Sequence, residues 1–121
     1  MEKDLKKCTM LLKSLILHYH GLDEDEQKIL ERAAKKLNAE EELNWTYAFI
    51  SEDYLSAFER SKEFFSKHMS HLSDSEKLTQ LQEVWEENHQ KGYVTEMETT
   101  AIINLAKEWG IEHDLLKVIK L

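Results

Sequence analysis

An all-α fold follows from three features of the chain. Its 121 residues include no proline and only three glycines, so little in it interrupts a helix. Apolar residues recur three and four apart rather than at alternate positions. Helix-start signals, a Ser, Thr or Asp followed three residues later by Glu, occur at Asp23–Glu26, Ser73–Glu76 and Thr95–Glu98. Together they predict a compact bundle of six or seven helices, one domain over 1–121 with two pseudo-repeated halves.

The first helix is predicted over Glu2–His20. Leu5, Cys8, Leu12, Leu15, Ile16 and Tyr19 form one stripe, and Met10, Leu11 and Leu17 broaden it. That breadth suits a central helix contacted on more than one side. Gly21 ends it, and Asp23 caps a second helix over Glu24–Leu37. Asn38 tolerates left-handed backbone and stops that helix; a short one follows from Ala39 or Glu40, with Leu43, Tyr47 and Ile50 inward. Ser51 is the expected cap of the next helix, with Glu52 and Asp53 in its first turn. This helix runs to Met69 and buries Leu55, Phe58, Phe65 and Met69. Ser73 and Glu76 open a helix over Asp74–Gln90 whose stripe is Leu78, Leu81, Trp85 and His89. Thr95 caps the next, Gly110 stops it, and Glu112–Ile119 forms the last.

The two halves echo each other. Setting Asp23 on Thr95 carries Glu26 onto Glu98, Leu30 onto Ile102, Ala34 onto Ala106, Asn38 onto Gly110 and Leu43 onto Leu115. Apolar entry, cap, stop and next acidic start all coincide, which points to a duplication rather than to two similar amphipathic helices.

Charge and motifs narrow the function. A net charge of −8 argues against a nucleic-acid backbone or an anionic membrane surface as the main partner. Lys13 interrupts the first apolar run and no small-residue cleavage site follows, so the start of the chain is not read as a signal peptide. Cys8 is the single cysteine and lies on the first apolar stripe, which predicts an inert buried thiol in a reducing, cytoplasmic setting. A serine nucleophile elbow, a phosphate-cradling glycine loop and a dinucleotide fingerprint are absent, and no enzyme activity is expected.

The acidic run Asp23-Glu24-Asp25-Glu26 lacks calcium-loop spacing: the sixth position is Lys28 and the twelfth Ala34. It reads first as a favourable first helical turn. His68 and His71 run into a helix end without further ligands nearby, and His18 and His20 point to different sides of a helix. The aromatics Trp45, Tyr47, Phe49, Tyr54, Phe58, Phe64 and Phe65 suit either a helical core or an exposed partner groove. An apolar patch of that kind would also serve a homodimer.

The run from Asn88 to Leu116, NHQKGYVTEMETTAIINLAKEWGIEHDLL, resembles the TerB-like helical domain of tellurite-resistance proteins. Gly92, Val94, Thr95 and Glu98 match that family's pattern of glycine, branched apolar residue, small cap and glutamate, as does Gly110-Ile111. Gly21, Leu22, Asp23 and Glu26 match it more loosely, and the family's aspartate before glycine is replaced by His20 and Lys91. The resemblance implies a two-halved helical architecture and a role linked to stress and metal-oxyanion resistance, without a defined reaction. It also implies a divalent-cation site on acidic side chains, for which Asp23, Glu26 and Glu98 are the candidates. The leading expectation is a non-enzymatic interaction or scaffold domain with a protein partner and no cofactor. The alternative is a divalent-cation-binding domain using the acidic first turns.

Overall fold

The computed structural model describes residues 3–17, 24–90, 92 and 94–119. These form seven α-helices and one short 3-10 turn, with no strand among the described residues. The helices are α1 (Lys3–Leu17), α2 (Glu24–Leu37), α3 (Glu40–Glu52), α4 (Ala57–His68), α5 (Asp74–Gln90), α6 (Glu96–Glu108) and α7 (Glu112–Val118). No described helix is long and apolar enough to cross a membrane. The chain divides into two compact units, Met1–Ser70 and His71–Leu121.

In the first unit α1 is the hub, packed against α2, α3 and α4. Every residue from Cys8 to Leu17 is buried, including Thr9, Lys13 and Ser14. A helix surrounded in this way has no solvent face to give to polar residues, which explains the breadth of its apolar stripe. Between α1, α2 and α3 lies a core built on Met10, Leu17, Leu30, Ala34 and Leu43, with Leu37 and Tyr47 packed against it.

α2 ends in a left-handed residue, Asn38 at φ 52°. The Ala39 amide donates to the Ala34 carbonyl at 2.7 Å and the Asn38 amide to Lys35 at 3.2 Å. This is the paired closure that satisfies the last carbonyls of a helix. Lys6 Nζ, reaching from α1, donates to the Asn38 carbonyl at 3.0 Å.

The expected junction between the third and fourth helices is corrected. Ser51 is not a cap: it lies in the last turn of α3, where its hydroxyl donates back to the Ala48 carbonyl at 3.3 Å. Asp53 breaks the helix instead, with extended backbone at φ −160°, and its carboxylate accepts the Leu55 amide at 3.1 Å. Tyr54–Ser56 form the 3-10 turn and α4 starts only at Ala57. Leu55 therefore leaves the apolar stripe and stands 99% exposed, whereas Phe65 and Met69 are buried as expected. Phe58 is half-buried.

In the second unit α5 packs against α6 and α7, and α6 against α7. Ser73 and Glu76 close the expected box at the start of α5, with the Ser73 amide donating to Glu76 Oε1 and the Glu76 amide to Ser73 Oγ, both at 3.1 Å. Leu81, Val84 and Trp85 form the buried side of α5. His89 is exposed rather than part of that stripe, and its Nδ1–H donates to the Trp85 carbonyl at 2.7 Å. Gly110 ends α6 at φ 71°.

Candidate functional site

Among the described residues, two places carry the polar and aromatic side chains from which a function could be built. The first is the outer face of α3 and α4. Trp45 and Phe49 are four apart on α3, and Phe64 and His68 are four apart on α4, so each pair stands one above the other on its helix. Their rings meet across the two helices. Trp45 lies 5.1 Å from Phe49 and 5.0 Å from Phe64, and Phe64 lies 4.3 Å from His68, all tilted. Phe49 meets Phe64 edge-on at 6.0 Å. The separations among Trp45, Phe49 and Phe64 fall in the range that aromatic pairs favour, and the Phe49–Phe64 edge-on contact is one of their preferred geometries. All four residues are half-buried, so the cluster is neither a sealed core nor fully open.

Cations border this band. Lys7 Nζ stands 5.0 Å from the Trp45 ring centroid, and the Arg60 guanidinium 4.7 Å from that of Phe49. Lys62 lies 5.6 Å from Phe58. His68 Nδ1 is 3.7 Å from Asp4 Oδ2.

Arg60 also holds the α3–α4 turn together. Its Nε donates to Ser56 Oγ at 2.8 Å, Nη1 to the Phe49 carbonyl at 2.9 Å and Nη2 to the Asp53 carbonyl at 2.8 Å. Nothing in the residue spacing announces this role, because the guanidinium reaches back to carbonyls that are free only once α3 has ended at Glu52. The aromatic pairs were open to sequence reasoning through their four-residue spacing.

The second place is the set of acidic first turns. Glu98 is fully buried, and its Oε1 accepts the Thr95 amide at 2.9 Å and the Thr95 hydroxyl at 2.8 Å. The Glu98 amide donates to Thr95 Oγ1 at 3.1 Å, which completes the box. Glu26 is 3% exposed on α2. Asp23 lies outside the described residues, as do His18, His20 and Lys91. Among the described residues no group of three or more His, Cys, Asp or Glu side chains is placed to hold a metal ion. Glu24 and Asp25 are exposed, and Glu24 lies 3.9 Å from Lys28 on the next turn. His71 is exposed beyond the end of α4, and Cys8 is fully buried in α1.

Among the described residues, one carboxyl and one phenol are shifted. The amide and hydroxyl of Ser73 hold the exposed Glu76 carboxyl below its usual 4.5. Burial, reinforced by the Glu31 charge, pushes the Tyr47 phenol above 10.0.

No family model, curated protein or solved structure matches this chain.

Proposed function

We propose that this chain is a non-enzymatic helical interaction domain of TerB-like type, working in the cytoplasm as a scaffold in a stress response such as metal-oxyanion resistance. The observation that carries the reading is the half-buried band Trp45–Phe49–Phe64–His68 with Lys7 and Arg60 on its rings. Partly covered aromatics beside guanidinium and ammonium groups are the residue types that anchor protein interfaces. The four-residue TerB-like motif around Thr95 supports the family part of the reading.

The test uses purified protein and a partner recovered by cross-linking in cells that make the chain, then purified itself. Trp45→Ala with Phe64→Ala is expected to weaken that complex by about tenfold or more while helicity is retained. Unchanged affinity, or a turnover measured on a metabolite panel, would count against the proposal.

A second reading is a divalent-cation domain. Its motivation is that the repeat-equivalent carboxylates of Glu26 and Glu98 are both buried, at 3% and 0% exposure. Chelator-treated protein would be melted with Ca²⁺, Mg²⁺, Mn²⁺ and Zn²⁺. A cation at one hundred times its Kd raises stability by about 2.7 kcal/mol, a shift of several degrees. No shift at millimolar metal rejects this reading.

A further inference from the structure

The turn between α3 and α4 displays Leu55 at 99% exposure, with Tyr54 beside it at 61%. A single exposed leucine is ordinary on a protein surface. What distinguishes this one is the rigidity of its mounting. The Asp53 carboxylate fixes the Leu55 amide at 3.1 Å, and Arg60 fixes both sides of the turn through Ser56 Oγ, the Asp53 carbonyl and the Phe49 carbonyl. The Ser56 amide adds a bond to the Asp53 carbonyl at 3.3 Å. The backbone under Leu55 is thus ordered before any partner arrives, which removes part of the ordering cost of binding.

The surroundings are acidic. Glu52, Asp53 and Glu59 are exposed around the turn. Glu52 lies 4.0 Å from Arg60 and Glu59 3.2 Å from Lys62. These two carboxylate side chains stay 78% and 75% exposed, whereas the two cations are only 27% and 25% exposed, so the outward charge is acidic.

We propose that Tyr54–Leu55 is a preformed docking knob that seats in an apolar pocket rimmed by Lys or Arg on a partner protein. This rests on the interaction-domain reading above and specifies its surface and partner chemistry. The acidic rim selects a basic pocket edge. The same rim is repelled by anionic lipid headgroups, and one leucine with one tyrosine offers little apolar area to a bilayer. A second copy of the chain carries the same net charge of −8, which opposes self-association through this rim.

The experiment places a photoreactive p-benzoylphenylalanine at Leu55 in one variant and at Trp45 in another, in cells that make the protein. The captured polypeptide is then purified and its affinity measured. The expected result is a discrete adduct from position 55 with a different protein. Leu55→Ala then weakens binding about tenfold or more, while Leu55→Met keeps it within about threefold. Glu52→Lys with Glu59→Lys slows association and flattens its salt dependence. The knob is overturned by an adduct with a second copy of the chain. It is equally overturned by cosedimentation with phosphatidylcholine or phosphatidylserine vesicles that Leu55→Ala abolishes, or by Leu55→Ala binding within about twofold of the parent protein. An adduct at Trp45 and none at Leu55 rejects the knob and leaves the interaction-domain reading standing. Adducts at neither position reject both.

Discussion

The α2–α3 and α6–α7 hairpins share one backbone solution and differ in the side chains that enforce it. In both, the helix closes with the same pair of bonds: Asn38 to Lys35 and Ala39 to Ala34 in one, Gly110 to Lys107 and Ile111 to Ala106 in the other. In both, the residue after the left-handed position starts the next helix without a side-chain cap. Ala39 sits at φ −126° and ψ 31°, and Ile111 at φ −123° and ψ 17°. Each of these residues is buried, and each carbonyl accepts the amide four residues on, Leu43 or Leu115, at 2.9 Å. The difference lies in the left-handed residue. Gly110 reaches φ 71° without a side chain to accommodate, whereas Asn38 relies on the tolerance of its short polar side chain, with Lys6 bonded to its carbonyl. Backbone geometry at this turn is therefore common to both hairpins while side-chain chemistry is not.

The largest expected effect tests the equivalence of the two cores. Leu30 and Ile102 occupy matching positions and both are fully buried. Leu30→Ala and Ile102→Ala should each cost about 2–5 kcal/mol in urea unfolding. A value under about 1 kcal/mol for either would show that the matching positions are not energetically alike.

Next in size is a comparison of caps. Thr95→Ala removes the hydroxyl that donates to a carboxylate with no solvent access and that accepts the Glu98 amide, so about 2 kcal/mol is expected. Ser73→Ala acts on the exposed Glu76 and should cost about 1 kcal/mol or less. Equal losses in the two variants would mean that burial of Glu98 adds nothing to its cap.

The left-handed residues come third. A Cβ added at Gly110 meets nothing within 4 Å, so Gly110→Ala costs backbone strain alone, about 1–2 kcal/mol. Asn38→Gly should lie within about 0.5 kcal/mol of zero, because relief of strain is offset by a freer unfolded chain. Thermal melts of both variants measure this, and a large loss in Asn38→Gly would reveal that the asparagine side chain itself holds the turn.

The smallest effect is a pH dependence at the start of α5. The Glu76 carboxyl is held below 4.5 in the folded chain, so its contribution is present above that value and fades as pH falls through the folded one. The stability difference between the parent chain and Glu76→Gln should shrink between pH 5 and pH 3 in buffered melts. A constant difference across that range contradicts the cap's dependence on charge.

Much of this architecture was legible because the chain marks its helix ends chemically. The bounds of α2 and α5 follow from a stop at Asn38 and a box at Ser73–Glu76, both local signals read within a few residues. The α3–α4 junction was not legible. Ser51 and Asp53 are both acceptable caps, and the choice between them depends on Arg60, which lies beyond the junction and acts on backbone carbonyls. Placing Leu55 on the α4 stripe assumed a helix that begins at Ser51, and the 3-10 turn removes that assumption. Burial of Lys13, Ser61 and Asn88 was equally hidden, because polar residues on an inward face depend on neighbours distant in sequence. At the candidate sites, the spacing of Trp45 with Phe49 and of Phe64 with His68 was readable, but the meeting of the two pairs is a product of packing.

The encirclement of α1 has a consequence for how the protein is made. Its apolar positions between Cys8 and Leu17 need α3 and α4 to cover them, and those helices end at Glu52 and His68. At ~5–20 residues per second, translation supplies them roughly 3–10 s after α1. During that interval the helix is an adhesive segment on a nascent chain, and its safe passage falls to the ribosome surface and to chaperones that bind short apolar stretches.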